Sequence, residues 1–600
     1  MDYYGFYTGQ EFSAYTYLGA HLEAGGTVFR TFAPNASRIS VIGDFNHWSE
    51  TPMEKVYDGN FWECHIENAA RGMRYKYRIY RGDGTFIDHC DPYGFYAEPR
   101  PQTASVIYGL SGYAFRDAAW QSRRKRFDDL PMNIYEIHAG SWRKPSGGED
   151  SWYSYRELAD LLVPYLSRNH YNFVEVMPLS EYPCDASWGY QATGFFSPTS
   201  RYGDPDGLRY FVDTCHAAGI GAILDFVPVH FAVNDYALAR YDGTALYEYP
   251  HSDVGFSEWG SCNFLHARGE VRSFLQSAAY YWLKEFHFDG LRMDAVSNLI
   301  YWQGVPERGE NQGAIQFIRN MNKGLKERVP SAILIAEDSS SYKGVTAPVE
   351  AGGLGFDYKW DLGWMHDTLS YLQAPPAARL ERYHKLTFSM HYFYNEKYLL
   401  PLSHDEVVHG KAAIAQKMNG ADLSGKFAQA RLLYMYMFAH PGKKLNFMGN
   451  ELGHLREWDE KREMDWALLH FPRHDAFLRF ARELNELYLR EPAFYEMDHD
   501  RGGFQWVIRK PKTAPVFAWV RKGRDHMVLA VFNFGDTDIP DYTLDLPGQG
   551  AGQARLLFHS DWDCFGGATA RRDMACPLTE SVLKVDLKRF SALYFALPPR

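Results

Sequence analysis

Three stretches of the chain decide the fold: IGAILDFV (220–227), FDGLRMD (288–294) and SAILIAED (331–338). Each is a short apolar run that ends in charged residues, and nearly continuous apolar runs are typical of parallel strands buried on both faces. Between the first two, residues 271–286 repeat apolar side chains at the i, i+3, i+4, i+7 spacing of an amphipathic helix. This part of the sequence therefore alternates strand and helix.

The same alternation continues on both sides of these stretches. Five further runs complete the set: NIYEIH (133–138), NFVEVM (172–177), GFDYKW (355–360), YLLPLSHD (398–405) and KKLNFMG (443–449). GFDYKW is the weakest candidate, and we assign it to the sixth strand. Strand and helix repeated in this way predict a (β/α)8 TIM barrel of the α/β class. Periodicity alone leaves a doubly wound open sheet as the alternative.

Short alternating strands flank the barrel region at both ends. TVFRTFAP (27–34) and SRISVIGDF (37–45) begin one β-sandwich pattern, and HMVLAVFNF (526–534) belongs to a second one. We therefore divide the chain into four parts: a short N-terminal extension (1–26), a β-sandwich module (27–115), the barrel (116–492) and a C-terminal all-β sandwich domain (493–600).

The composition excludes several classes of protein. A content of 46% hydrophobic and 23% charged residues is that of an ordinary globular protein, and a net charge of −11 offers no basic face to a nucleic acid. The chain has neither a secretory signal nor an apolar run of the roughly 18–20 residues that a membrane span needs, so we expect a cytoplasmic protein without a membrane partner. Its seven scattered cysteines predict reduced thiols rather than a disulfide or zinc framework.

Charged residues and histidines gather at the ends of the apolar runs, where a barrel of this kind has its active site. They are Asp225, His230, Arg292, Asp294, Glu337, His404 and Asp405. A single strand-end Asp is often only a helix cap, but such residues at several strand ends indicate one active site. Arg292 and Asp294 stand two positions apart and share a face, so the arginine keeps the carboxylate ionised, as a nucleophile requires.

Glu337 supplies the second half of a catalytic pair. It follows the apolar residues ILIA (333–336), and an apolar surrounding favours the protonated form of a carboxyl group. A proton donor beside a nucleophile is what cleavage of a glycosidic bond needs. Carboxyl groups about 5–5.5 Å apart would retain the anomeric configuration through a covalent glycosyl-enzyme, with Asp405 as a third carboxylate that stabilises the positive charge.

Four regions of the chain resemble, in order, conserved regions of the α-amylase superfamily of glycoside hydrolases: DFVPVH (225–230), GLRMDAV (290–296), IAED (335–338) and LPLSHDEVVHGK (400–411). Longer stretches are similar to the bacterial glycogen branching enzymes: SWGYQATGFFSPTSRYG (187–203), LARYDGTALYEYP (238–250), GGLGFDYKWDLGWMHDTLSY (352–371), LTFSMHYFYNEKYLLPLSHDEVVHGK (386–411) and HPGKKLNFMGNELG (440–453). The segment FRTFAPNASRISVIGDFNHW (29–48) resembles the glucan-binding β-sandwich module of that family. The resemblance runs nearly from end to end.

The resemblance implies a role for each site residue. The three catalytic residues would be Asp294 as nucleophile, Glu337 as general acid/base and Asp405 as transition-state stabiliser. The substrate-binding residues would be Tyr190, Asp225, His230, Arg292 and His404, with Tyr190 as the aromatic platform under the sugar at the cleaved bond. Calcium-dependent amylases carry an asparagine where this chain has Val229, so we expect no structural calcium. We expect no cofactor.

The resemblance also implies the reaction. The family cleaves an α-1,4-glucan chain with retention and transfers the cut end to a glucan 6-hydroxyl, so that α-1,4-glucan is both donor and acceptor and an α-1,6 branch is formed in glycogen biosynthesis. The expected state is a monomer. The N-terminal region is shorter than in many branching enzymes, which carry an additional β module there.

Two alternatives remain open. An α-glucan hydrolase of the debranching or maltooligosyl-trehalose hydrolase type would share all three acids. A non-catalytic glucan-binding protein is the alternative from another class, and the intact acids argue against it. In the N-terminal module, Trp48, Trp62 and Tyr77 are either sugar-stacking side chains or core.

Overall fold

A closed barrel of eight strands is present in the computed structural model, which describes residues 1–124, 128–145 and 148–598. In chain order the barrel strands are Asn133–Ile137, Phe173–Val176, Gly221–Phe226, Gly290–Met293, Ile333–Ala336, Tyr358–Trp360, Tyr398–Leu402 and Lys443–Phe447. All eight predicted runs contain one of these strands. The prediction of a (β/α)8 barrel is confirmed, and the open doubly wound sheet is excluded.

Helices separate the barrel strands, and polar side chains begin several of them. The longer helices are Tyr155–Arg168, Pro205–Ala217, Gly269–Glu285, Gln312–Arg328, Leu362–Gln373, Leu423–Ala439 and Pro472–Arg490. The shorter ones are Tyr3–Thr8, Ala118–Arg123, Ser252–Gly255, Val296–Ile300, Pro376–Arg379, His384–Thr387, Ser389–Tyr392 and Ile414–Lys417. Asp204, Asn311 and Asp361 each accept a backbone N–H of the first turn that follows, which satisfies a donor that the helix itself cannot pair.

The chain divides into two compact units. The first comprises residues 1–124, 138–163 and 175–357, and the second comprises residues 125–137, 164–174 and 358–600, of which 128–137 and 358–598 are described at its two ends. In the first unit the third, fourth and fifth barrel strands pair in parallel register. In the second unit the sixth, seventh, eighth and first strands do so.

The first unit contains the N-terminal β-sandwich. One sheet has the strand order Gly19–Glu23, Gly26–Phe32, Phe61–Ile66 and Glu54–Val56. The other has the order Thr51–Pro52, Arg38–Gly43, Arg74–Tyr80 and Phe86–His89, with Ser105–Val106 paired to Arg74–Tyr80. The sheets pack face to face, as the 5.0 Å contact between the rings of Phe29 and Tyr75 illustrates. Trp62 and Tyr77 lie in this core and are not surface residues, whereas Trp48 is 38% exposed.

The N-terminal segment, residues 1–18, packs on the barrel helix Gly269–Glu285 within the first unit. Ser273 Oγ donates to the carbonyl of Phe6 at 2.9 Å, and the Tyr15 hydroxyl donates to Glu285 at 2.9 Å. The side chains of Phe6, Phe12, Tyr15 and Leu18 are buried. These residues therefore belong to the core that surrounds this helix.

The second unit ends in an all-β domain, as predicted. Its eight strands join in one sheet of order Phe504–Ile508, Val516–Lys522, Met527–Asn533, Ser591–Ala596, Gly552–His559, Ala575–Thr579, Val582–Leu587 and Ile539–Asp545. Buried Asp498 joins this domain to the eighth barrel strand, because it accepts from Arg521 at 2.7 Å and from Lys443 at 3.3 Å. Among the described residues, each helix is too short or too polar to cross a bilayer.

Candidate active site

The predicted site residues of the first unit stand at the carboxyl ends of three neighbouring barrel strands. Asp225 lies in the third strand, Asp294 follows the fourth, and Glu337 follows the fifth. The last register pair of the fourth and fifth strands is Met293 with Ala336. Since adjacent strands lie about 4.8 Å apart, this register sets Asp294 and Glu337 side by side on neighbouring strands.

Arg292 holds two of the predicted carboxylates. Its guanidinium is buried, and Nη1 donates to both oxygens of Asp225 and to Oδ1 of Asp294, each at 2.8 Å. Burial alone would lower the pKa of Arg292, but the facing carboxylates raise it well above its ordinary value. The arginine is therefore a permanent cation that fixes the direction of the Asp294 carboxylate.

Tyr190 completes this cluster. Its hydroxyl donates to Oδ2 of Asp225 at 2.5 Å, and its ring lies 5.9 Å from the guanidinium carbon of Arg292. The structure thus brings Tyr190 and Asp225 together with the neighbouring residues Arg292 and Asp294. The Tyr190 ring lies near the Arg292 guanidinium, which in turn binds the Asp294 carboxylate.

The loop after the fourth strand binds Glu337 directly. The backbone N–H of Ala295 donates to Oε2 of Glu337 at 2.7 Å, and Val296 N–H donates to the Glu337 carbonyl at 2.9 Å. Ala295 has a φ of +46°, a left-handed conformation that a residue with a Cβ seldom adopts. This unusual backbone turns the N–H of the residue after Asp294 toward Glu337, so strained backbone serves to join the two acids.

His230 lies in a short antiparallel strand pair, His230–Phe231 with Cys262–Asn263. Its side chain is buried, and burial lowers the pKa of His230 to about 4. The imidazole is therefore neutral at neutral pH, and it can bind a sugar hydroxyl without adding charge to the site. The indole of Trp259 lies beside it, with 5.3 Å between the ring centroids.

The second unit holds the other two predicted residues, His404 and Asp405, directly after the seventh strand. Glu136 of the first strand accepts the backbone N–H of His404 at 3.0 Å and contacts Nδ1 of its ring at 2.5 Å. The side chain of Asp405 is half exposed, and its carboxylate lies 3.4 Å from Nε2 of His404. Lys411 donates to the Asp405 carbonyl at 2.8 Å and so fixes the turn that carries this acid.

Glu136 was not among the predicted site residues. Both of its carboxylate oxygens contact His404, and its side chain is fully buried. A histidine whose Nδ1 faces a carboxylate carries its proton on that nitrogen, so Glu136 sets the tautomer and the ring orientation of His404. The signal was a single charged residue inside the apolar run NIYEIH (133–138).

A metal site is absent from the described ranges, in the sense that they contain no group of three or more His, Cys, Asp or Glu side chains placed to hold an ion. Asp294, held by Arg292, and Glu337 form a pair of carboxyl groups on neighbouring strands. Such a pair can attack a carbon atom and protonate the leaving oxygen.

Three protein families match parts of the chain. Carbohydrate-binding module 48 (isoamylase N-terminal domain) matches residues 17–94. The catalytic domain of α-amylase matches residues 261–521, and the α-amylase C-terminal all-β domain matches residues 506–597. The first and last of these matches fall on the two β-rich parts of the structure.

Relatives similar over nearly the whole chain carry the name 1,4-alpha-glucan branching enzyme GlgB. The protein of Bacillus caldolyticus is 43% identical over 579 residues, which are 95% of this chain and 86% of that protein. The protein of Fusobacterium nucleatum is 43% identical over 95% of this chain and 93% of its own length. That of Nitrosomonas europaea is 44% identical over 95% and 80%, respectively.

Solved structures share the fold at low sequence identity. Pullulanase from Bacillus acidopullulyticus has a TM-score of 0.73 at 16% identity, and covers 96% of this chain and 74% of its own. GBS pullulanase SAP, solved in complex with maltotetraose, has a TM-score of 0.74 at 15% identity, over 97% of this chain and 88% of its own. At this identity the likeness concerns the fold alone.

Proposed function

The chain belongs to the 1,4-alpha-glucan branching enzymes of the α-amylase family, and from this membership we propose how its residues perform the reaction. The enzyme cuts an α-1,4-glucan chain with retention and transfers the cut end to a glucan 6-hydroxyl. The observation that carries the proposal is the Arg292 guanidinium 2.8 Å from Asp294, with Glu337 on the neighbouring strand.

In the first half of the reaction Asp294 is the nucleophile. Its carboxylate attacks the anomeric carbon of the donor, while Glu337 protonates the oxygen of the leaving chain. The products are a β-linked glucosyl-enzyme and a freed chain end. Arg292 supports this step because it keeps Asp294 ionised and aimed.

In the second half Glu337 is the base. It removes the proton of an acceptor 6-hydroxyl, which attacks the same carbon and releases Asp294. Two inversions restore the α configuration, so the product bond is α-1,6. The N–H of Ala295 bound to Glu337 keeps this carboxyl group in place in both protonation states.

Five residues bind and orient the sugar at the cleaved bond: Tyr190, Asp225, His230, Arg292 and His404. Tyr190 offers its ring to the sugar face, and Asp225 holds both Tyr190 and Arg292 through hydrogen bonds. Asp405 follows the seventh barrel strand, and the carboxyl ends of barrel strands are where active sites of this fold are built. We assign to Asp405 the stabilisation of the oxocarbenium charge.

Proton NMR of amylose tests the proposed bond chemistry directly. Incubation with the enzyme should produce a new α-1,6 anomeric signal with almost no new reducing ends. A steady growth of reducing ends without that signal would instead establish a hydrolase of the debranching or maltooligosyl-trehalose type.

Variants of the acids test the assigned roles. Asp294→Asn should abolish branching, because a neutral amide is a poor nucleophile for the anomeric carbon. Asp253→Asn is the matched control, since Asp253 is an exposed acid of the same unit, and it should keep the wild-type rate. Wild-type branching by the Asp294 variant would overturn the assignment.

The carbohydrate-binding module and the cysteines bear on what the enzyme binds and where it is located. Neutral glucan is the donor and acceptor, and the part that matches the carbohydrate-binding module, residues 17–94, is a second place for it to bind. All seven cysteines are free thiols, as in proteins of a reducing compartment, which supports a cytoplasmic location.

A further inference from the structure

A tight turn beside the site carries an exposed tryptophan. The turn precedes the strand Cys262–Asn263, which pairs with His230–Phe231, and an isolated bridge between Phe256 and Cys262 closes it. Trp259 stands in this turn and is 48% exposed. A large apolar ring is thus held in the solvent next to buried His230.

Hydrogen bonds on both sides fix the backbone at Trp259. The hydroxyl oxygen of Ser257 accepts the N–H of Trp259 at 3.2 Å, and Ser257 N–H donates to the carbonyl of Ser261 at 2.8 Å. The carbonyl of Trp259 accepts from the side-chain amide of Gln191 at 3.1 Å. Gly260, with a φ of +78°, makes the tight turn possible. The backbone that carries the ring is therefore held by hydrogen bonds within the protein itself.

The same contacts attach Trp259 to the proposed sugar-binding residues. Its ring centroid is 5.3 Å from that of His230, at an interplanar angle of 43°. Gln191, which holds the Trp259 carbonyl, is the residue after Tyr190. The indole is therefore in direct contact with His230, and the Trp259 backbone is linked to Tyr190 through Gln191.

A second exposed aromatic strengthens this reading. Single exposed aromatic side chains are common on protein surfaces and need no explanation. Here Phe256, which is 51% exposed, stands three positions before Trp259 in the same turn. This turn therefore presents two exposed aromatic side chains, and aromatic side chains are prominent in the lining of ligand sites.

We propose that Trp259 is a stacking platform for a glucose unit of the α-glucan chain, next to the unit that is cleaved. The flat indole covers the C–H face of a pyranose ring, and its burial by the sugar removes apolar surface from water. The proposal rests on the proposed function and adds a residue that determines how the chain is positioned. Trp259 contacts substrate but takes no part in bond breaking.

Binding to an inactive enzyme tests the platform without any turnover. In an Asp294→Asn background, isothermal titration calorimetry with maltoheptaose should show about tenfold weaker binding after Trp259→Ala, which corresponds to about 1.4 kcal/mol. Trp259→Phe, which keeps an aromatic face, should recover most of the affinity. Phe388→Ala is the matched control, because Phe388 is a comparably exposed aromatic of the other unit. Equal affinity of the Trp259→Ala and control variants would overturn the proposal.

Kinetics of the active enzyme then locate the glucose unit. If Trp259 binds the donor chain, Trp259→Ala should raise KM for amylose several-fold at an unchanged ratio of transfer to hydrolysis. If it binds the acceptor, the release of reducing ends should rise relative to branching. Either result supports the platform, whereas an unchanged KM together with an unchanged ratio contradicts it. Failure of the proposed function is distinguishable, because the wild type would then form no α-1,6 bonds while the calorimetric effect persisted.

Discussion

Two buried carboxylates at this site, Asp225 and Glu136, orient other site residues by hydrogen bonds. Asp225 binds no reacting atom in the proposed mechanism, yet it receives hydrogen bonds from both Tyr190 and Arg292. Glu136 has the corresponding place in the second unit, where both of its oxygens contact His404. A buried carboxylate that orients a histidine contributes to catalysis through geometry and tautomer rather than through contact with substrate.

Replacement of Glu136 by Gln should therefore lower kcat while KM for amylose stays within about threefold. The NH2 group of Gln is a hydrogen-bond donor, and it would face the Nδ1–H of His404, which is also a donor. The two donors would repel each other, so the His404 ring would change its orientation. A loss on the order of 100-fold in kcat is expected, because misplacing one hydrogen-bond donor of an active site costs about 10²–10³ in kcat. Initial rates of α-1,6 bond formation over a range of amylose concentrations measure both constants.

Glu451→Gln is the control for that experiment. Glu451 is an equally buried carboxylate of the same unit, and it accepts the hydroxyls of Tyr135 and Tyr165 at 2.7 Å each. Its replacement should lower Tm and leave kcat within about threefold. A Glu136 variant with wild-type kcat, or one that loses only stability, would show that Glu136 is structural.

Much of the site could be predicted from the sequence because its residues follow apolar strands. Asp294 and Glu337 were recognisable as polar residues at strand ends, and a parallel barrel gathers strand ends at one face. Glu136 and Trp259 were not recognisable in this way. Glu136 lies inside a strand, and its partner His404 is separated from it by hundreds of residues; Trp259 lies in a turn, where no periodicity assigns a side chain to a face.

At the scale of elements, one buried carboxylate fixes the linker helix Ala118–Arg123 to the barrel. Asp289, immediately before the fourth strand, accepts the indole N–H of Trp120 at 2.8 Å and Nε of Arg124 at 2.6 Å. It also contacts Nε2 of His216 at 2.9 Å. Burial would raise the pKa of Asp289, but His216 and Arg124 hold it below its ordinary value. This network lies at the amino ends of the strands, where barrel residues serve stability.

Asp289→Asn should consequently destabilise the protein without changing the chemistry. Removal of one member of a buried charged cluster leaves the others without compensation and costs about 3–5 kcal/mol. Urea unfolding followed by circular dichroism measures the loss, and kcat should stay at the wild-type value. Asp88→Asn, which breaks the more exposed pair with Arg78 in the same unit, should cost no more than about 1 kcal/mol. Similar losses in the two variants would contradict this account.

The existence of the barrel strands was easier to predict than their lengths. The sixth run, GFDYKW (355–360), was the weakest candidate, and it contains a strand of only three residues, Tyr358–Trp360. A strand this short offers almost no periodicity, and its place is set by pairing with the seventh strand. The barrel could be predicted because eight weak signals occur in order, not because each was strong.

The N-terminal segment lies very close to the barrel helix Gly269–Glu285. A Cβ placed on Gly269 would lie 1.8 Å from the backbone oxygen of Tyr7, and backbone cannot yield as a flexible side chain can. Gly269→Ala should therefore lower the free energy of unfolding by about 1–3 kcal/mol. Gly82→Ala is the control, because nothing lies within 4 Å of its added Cβ. Equal Tm values for the two variants would mean that the segment packs more loosely than described.

The whole molecule carries many buried histidines, and they predict its response to acid. Burial lowers the pKa of six of them to about 4: His89, His230, His266, His454, His499 and His559. In the unfolded chain a histidine has a pKa of about 6.5, so between about pH 6.5 and 4 the unfolded state binds more protons. Stability is therefore fully present above about pH 6.5 and is lost as the pH falls toward 4.

Tm should accordingly fall as the pH is lowered from 7 to 5, by calorimetry at constant ionic strength. Each of these histidines contributes up to about 1.4 kcal/mol per pH unit within the window. Asp91 and Asp361, whose pKa burial raises to about 6, act in the opposite direction but are fewer. His266→Gln should make the dependence shallower. A Tm that is constant over this range would contradict the prediction.

Sequence reasoning predicted no structure for the N-terminal extension. Its apolar residues Phe6, Phe12, Tyr15 and Leu18 follow neither the helical nor the strand period, so they gave no signal of an element. They are nevertheless buried, because a helix some 250 residues later supplies the surface they cover. Burial of this kind depends on residues far away in the sequence, so the spacing of apolar residues within the segment does not predict it.

That packing has a consequence for biosynthesis. Residues 1–18 are translated well before the helix on which they pack, Gly269–Glu285. At about 5–20 residues per second, this apolar segment stays uncovered for some tens of seconds. During this interval it exposes apolar surface of the kind that chaperones bind.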